Sequence, residues 1–120
     1  MPDFEDARRI ALSLPGTVAE ETGFRVGEKG IAWIYMEKVP GQKGRVRHDD
    51  VLAVRVANVD EKLAMIAAFP DRFFTDDHYR GYPAVLVRLT AIDLDHLTEL
   101  LTDAWRIHAP KKRGRTVETG

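Results

Sequence analysis

A chain of 120 residues, 44% hydrophobic and 31% charged, has the make-up of one soluble globular domain. At this size folding buries about 65% of the unfolded surface, so no covalent staple is needed. Net charge −1 gives no global pull toward nucleic acid, and the lack of cysteine excludes disulfides, thiolate metal sites and a cysteine nucleophile.

In chain order, Asp3 is placed to cap a first helix, with Asp6 supporting its dipole. Phe4, Ala7, Ile10, Ala11 and Leu14 follow the helical period, and Pro15 with Gly16 stops the helix. Residues 17–22 read as a short edge strand. Residues 24–26, a turn over Gly27–Gly30 and a strand over Ile31–Met36 read as a hairpin. Ile31, Trp33 and Tyr35 alternate against Ala32, Ile34 and Met36, and both faces are apolar, which marks a central strand. Residues 37–50 hold Pro40, Gly41 and Gly44 among polar residues and read as a long hairpin loop, followed by a strand over Val51–Ala57.

Asp60 is expected to cap a second helix from Glu61 to about Phe69, with Leu63, Ile66 and Ala67 facing inward and Pro70 as the stop. The aromatic-rich residues 71–82 read as a packed loop, with a short strand at Phe73 and Phe74. Ala84–Thr90 is a strand with Val85, Val87 and Leu89 on one face. Asp93 caps the last helix, which carries Leu94, Leu97, Leu101, Ala104, Trp105 and His108 on one stripe and ends before Pro110. Residues 1–110 form a single domain on this reading, and the basic tail 111–120, without apolar periodicity, is expected to be disordered.

The charges are uneven. Lys38, Lys43, Arg45, Arg47 and His48 gather in the long loop, and Lys111, Lys112, Arg113 and Arg115 in the tail. Either cluster could lie along a phosphate backbone. Arg55 and Arg88 occupy equivalent places in two strands, opposite the more apolar faces. If the helices cover the apolar face, both arginines point from the other, open face, where they could hold an anion or a flat ring.

Other chemistry leaves little trace. Gly23, Gly27 and Gly30 lie between strands rather than at a helix start, so they form no phosphate loop. His96 and His108 stand about three helical turns apart, too far to share an ion, and no metal or cofactor is expected. Ser13, the only serine, precedes Leu14-Pro15-Gly16, which is not a nucleophile elbow. No catalytic residue and no enzymatic activity are expected. The acidic N-terminus lacks the basic-then-apolar order of a signal peptide, and no apolar run approaches the ~18 residues of a membrane span. A cytoplasmic protein away from membranes, monomeric or weakly dimeric, is the expectation.

Several stretches, taken in order, resemble the MmcQ/YjbR family: Ala11–Thr17, Phe73 and Phe74, His78–Pro83, Ala84–Leu89, and Leu101–Arg106 leading into Ala109 and Pro110. The resemblance covers nearly everything from Phe4 to Pro110. It implies an α+β fold of two layers, an antiparallel β-sheet with helices packed on one face. It also implies DNA binding through a double-wing arrangement of strands and loops. Many members carry an Asn-Lys-x-His-Trp motif before the late strand, where this chain has Tyr79-Arg80-Gly81-Tyr82-Pro83, so no ligand role attached to that motif carries over.

Two functions follow as expectations. One is weak, non-specific DNA binding through Lys38, Lys43, Arg45, Arg47, Lys111, Lys112 and Arg113. The other is a non-enzymatic module that holds a small anionic ligand or a protein on the open sheet face, through Arg55, Arg88, His78, Tyr79 and Tyr82.

Overall fold

A computed structural model describes residues 2–108. The elements run α1 (Phe4–Leu12), β1 (Thr17–Ala19), β2 (Gly23–Val26), β3 (Lys29–Glu37), β4 (Val46–Arg55), α2 (Val59–Ala68), β5 (Phe73–Phe74), β6 (Ala84–Arg88) and α3 (Leu94–His108). The strands form one six-stranded sheet in the order β1-β2-β3-β4-β6-β5, with every neighbouring pair antiparallel. This is an α+β fold. Its larger core lies between the sheet and the helices, where Ala7, Ile10 and Ala11 of α1 and Leu97, Leu100, Leu101 and Ala104 of α3 meet Phe24, Ala32, Leu52, Val54, Val85 and Val87.

Helix starts follow the caps. The Asp3 carboxylate accepts the Asp6 N–H and the Asp6 carboxylate accepts the Asp3 N–H, each at 3.0 Å, a reciprocal capping box. The Asp93 carboxylate accepts the His96 N–H at 2.7 Å and opens α3 in the same way. At the far end of α3, the Trp105 indole N–H donates to the Pro15 carbonyl at 2.7 Å and ties the helix to the turn after α1.

The second helix departs from expectation. Its cap is Asn58, whose side chain accepts the Glu61 N–H at 2.8 Å, rather than Asp60. Its inward stripe is also turned by one residue, about 100°. Leu63 is 53% exposed and Ala67 is exposed, while Met65 and Ile66 reach the core and Lys62 is fully buried. The tertiary surroundings decide the rotation: the backbone carbonyls of Tyr79 and Tyr82 face this helix, and the Lys62 ammonium donates to both.

Three further corrections concern the sheet. The register shift between Phe24 and Arg25 turns Ile31 into the helix-side core beside Ala32, so Ile31 does not share a face with Trp33 and Tyr35. The chain from Val46 to Asp50, read as loop, is strand. And the face bearing Arg55 and Arg88 is not open. Residues 74–83 fold across it, and Tyr79 packs with Tyr35, Val51, Ala53, Ala84 and Leu86 into a second, smaller core, with Trp33 and Phe74 at its margin.

β2 pairs with β3 only as far as Trp33, and β6 with β4 only as far as Val51. The pairs Tyr35–His48, Met36–Arg47 and Glu37–Val46 therefore continue as a two-stranded ribbon beyond both neighbours. A register shift between Ile34 and Tyr35 bends β4 where the ribbon leaves the sheet.

Candidate functional site

The ribbon carries most of the basic residues picked out in the sequence. Lys38, Lys43, Arg45 and Arg47 are all exposed on it or on its connecting loop. Gly41 and Gly44 adopt positive φ values, 84° and 74°, and let the chain reverse at the tip. The four cations are not equivalent. Arg47 is paired with Asp49, and His48 meets the Glu37 carboxylate at 2.8 Å. Among the described residues Lys38, Lys43 and Arg45 enter no ion pair. The tip thus presents three uncompensated positive charges on flexible stems. Lys111, Lys112 and Arg113 lie outside the described residues.

The ribbon is rooted in aromatic packing. Tyr35 stacks on His48, with ring centroids 5.3 Å apart, and meets Phe74 edge-on at 6.2 Å. Its hydroxyl donates to Asp76, whose carboxylate also accepts the Tyr79 N–H at 2.8 Å. Burial, and then the bond to Asp76, push the Tyr35 phenol well above its usual range, so it stays a neutral donor.

Nearby, Trp33, His78, Tyr79 and Tyr82 line a shallow cavity of about 350 Å³. The Trp33 and Tyr82 rings are inclined at 63° with centroids 6.5 Å apart, and Tyr79, only 8% exposed, lies between strand and loop. The Trp33 indole N–H donates to the Tyr79 hydroxyl at 2.9 Å, which leaves that hydroxyl's own proton free for an acceptor. Arg55 stands over the Tyr82 ring at 5.5 Å, and its Nε, buried, has no partner among the described residues.

The two sheet arginines do not converge. Arg55 pairs across the ladder with Ala84 and Arg88 with Val51, at opposite ends of the β4–β6 pairing. Arg88 sits over the Phe74 ring at 4.2 Å and donates to the Pro70 carbonyl at 3.3 Å, a closing role for β5 rather than a ligand contact. Of the ligand set expected on this face, His78, Tyr79, Tyr82 and Arg55 are brought together and Arg88 is separated from them.

Lys62 explains how the covering segment is held. Its ammonium donates to the carbonyls of Tyr79 and Tyr82, and burial pushes its pKa down. Neither Lys62 nor Trp33 was singled out from the sequence. A signal for Lys62 existed in the spacing of Lys62, Met65, Ile66 and Phe69 at i, i+3, i+4 and i+7, with the lysine in an apolar slot. Trp33 shares the strand face of Tyr35, but only the fold places that face under the loop.

A protonated His108 would favour the dipole at the C-terminal end of α3, but its surroundings oppose the charge. Burial and the nearby charges of Arg55 and Lys29 lower its pKa below the ordinary 6.5, and its Nε2 has no partner among the described residues. Because the folded value lies below the unfolded one, charging His108 opposes folding at low pH, and stability rises with pH up to about 6.5. In His108→Gln the rise over that window should flatten, read from urea midpoints at a series of pH values. An unchanged slope would show that His108 is not its source.

Among the described residues no set of three His, Asp or Glu side chains is placed to hold a metal ion, and no helix is long and apolar enough to cross a membrane.

Similarity to known proteins is consistent along the chain. An uncharacterized protein of Mycobacterium tuberculosis, Rv2570, is 38% identical over 119 residues, covering 93% of this chain and 92% of the relative. Its Mycobacterium bovis counterpart, Mb2600, matches to the same extent. The crystal structure of the Deinococcus radiodurans protein DR2400, with a DUF419 domain, superposes with a TM-score of 0.57 at 15% identity, over 96% of this chain and 84% of that one, and shares the fold. The YjbR family model matches residues 12–107, which takes in every strand, α2 and nearly all of α3, and this chain belongs to the YjbR family.

Proposed function

We propose that this protein binds nucleic acid weakly and without sequence preference, through phosphate contacts made by the β3–β4 ribbon. The observation that carries the reading is the ribbon itself. It runs past both neighbouring strands and ends in Lys38, Lys43 and Arg45, none of them in an ion pair among the described residues. A two-stranded ribbon is narrow enough for the major groove of a duplex, and unpaired surface cations gain by releasing condensed counterions. The double-wing association of the family points the same way. The competing picture, an anion held between Arg55 and Arg88 on an open sheet face, loses support because the loop covers that face and the two guanidinium groups stand at its opposite ends.

Three phosphate contacts predict a modest affinity, on the order of 10⁻⁴ to 10⁻⁶ M, and a log–log salt slope of about −3. The double variant Lys43→Glu with Arg45→Glu should weaken binding to a duplex more than tenfold and bring the slope toward about −1, measured by fluorescence anisotropy at several salt concentrations. Undiminished binding by that variant, or no complex at low salt with protein at tens of micromolar (about 10⁻⁵ M), would end this reading.

A further inference from the structure

The aromatic cavity beside the ribbon has features that phosphate contacts alone do not use. We propose that the space bounded by Trp33, His78, Tyr79 and Tyr82 is a stacking subsite for one unpaired nucleobase, with Arg55 taking the phosphate attached to it.

Four observations carry this. The walls are rings rather than aliphatic chains, and every base has a flat π-face that aromatic side chains can hold. Tyr82 is 42% exposed, a large apolar surface left partly bare where Tyr79 beside it is buried. The Tyr79 hydroxyl, having accepted the Trp33 indole N–H, retains a proton to donate toward a ring nitrogen or exocyclic oxygen. Finally, Arg55 stands against Tyr82, donating to its hydroxyl at 3.5 Å and in no ion pair among the described residues, so a guanidinium with further N–H donors sits at the edge of the stack.

Position strengthens the case. Trp33 lies on β3 and Arg55 on β4, the two strands that continue into the basic ribbon. A strand of nucleic acid held along the ribbon has a base-sized recess on the same hairpin. A base paired within a duplex cannot enter, so the occupant is a single-stranded, looped or extruded base, or a free nucleotide.

The inference rests partly on the ribbon reading, and the experiment separates them. Three probes are titrated into the isotopically labelled protein: a short oligothymidylate, an abasic strand of the same length and charge, and AMP with ribose 5-phosphate as its control. The readouts are affinity and the two indole N–H resonances, Trp33 in the cavity and Trp105 at the Pro15 carbonyl as internal reference.

The expected result is that the oligothymidylate binds about tenfold more tightly than the abasic strand and shifts Trp33 but not Trp105. Tyr82→Ala should abolish the tenfold difference, and Tyr82→Phe should keep it. A Trp33 shift with AMP but not ribose 5-phosphate supports the subsite even if neither strand binds, and identifies a free nucleotide as its source. Equal affinity for the two strands with Trp33 unmoved by every probe overturns the subsite. Continued sensitivity of strand binding to Lys43→Glu with Arg45→Glu would then leave the ribbon reading standing alone.

Discussion

Replacing Lys62 with alanine is expected to lower the stability of the domain by about 3 kcal/mol, and replacing it with methionine by about 1 kcal/mol. Lys62 is fully buried, and its ammonium reaches from α2 to the carbonyls of Tyr79 and Tyr82. Alanine removes three buried methylenes at ~0.8 kcal/mol each and leaves a cavity as well. Two charge-assisted hydrogen bonds are also lost, but returning the ammonium to water offsets much of that. The carbonyls are not orphaned, since the Tyr82 N–H reaches the Tyr79 carbonyl at 2.9 Å and the Ala84 N–H the Tyr82 carbonyl at 2.8 Å. Methionine refills most of the space and drops only the polar link.

The pH dependence provides a second check. Burial holds the Lys62 pKa below 10.5, so the cost of its charge is present at neutral pH and is relieved as pH rises toward that value. The parent should therefore gain stability at alkaline pH in a way that Lys62→Met does not. Urea unfolding of the three proteins measures both effects, and an alanine variant within about 0.5 kcal/mol of the parent would show that Lys62 is not what holds the covering segment.

Gly23→Ala is the second large effect, expected to cost about 2–3 kcal/mol. A Cβ at this position would stand 2.6 Å from the Ala32 carbonyl oxygen, 2.9 Å from the Trp33 Cβ and 3.0 Å from the Trp33 Cα. These atoms cannot swing away, because β3 is clamped between β2 and β4. Relief must come from β2 moving outward, which drags Phe24 from its stack on Phe4, where the ring centroids are 5.4 Å apart. The alternative is displacement of Trp33, a wall of the aromatic cavity. The variant should therefore lower the urea midpoint and move the Trp33 indole resonance together. A variant as stable as the parent with that resonance unmoved would mean that the strands are not in such close contact.

Much of this protein was legible as a sequence wherever the signal was local. Asp3 and Asp93 announced their helices because a short carboxylate satisfies the first free N–H groups of a turn, whatever the rest of the chain does. Alternation in residues 51–56 and 84–89 put Arg55 and Arg88 on the same side, since strand periodicity alone decides which way a side chain points. The exposed cations of the ribbon were also visible, as a largely polar stretch with turn residues between two apolar strands.

What stayed hidden needed contacts between distant parts of the chain. The residues from Val46 to His48 became strand because β3 offered them partners, although their own composition resembles loop. The second helix turned to bury Lys62 rather than Leu63, and its ammonium adds a donor to two carbonyls seventeen and twenty positions away, contacts that only the fold creates. Residues 74–83 closed over the sheet and brought Trp33, His78, Tyr79, Tyr82 and Arg55 to one place while leaving Arg88 apart. The sequence by itself determined the elements and their faces, through interactions that reach only a few residues. Only the tertiary structure decided which faces are covered and which side chains meet, because burial and hydrogen bonding across the fold outweigh the local preferences of a single turn.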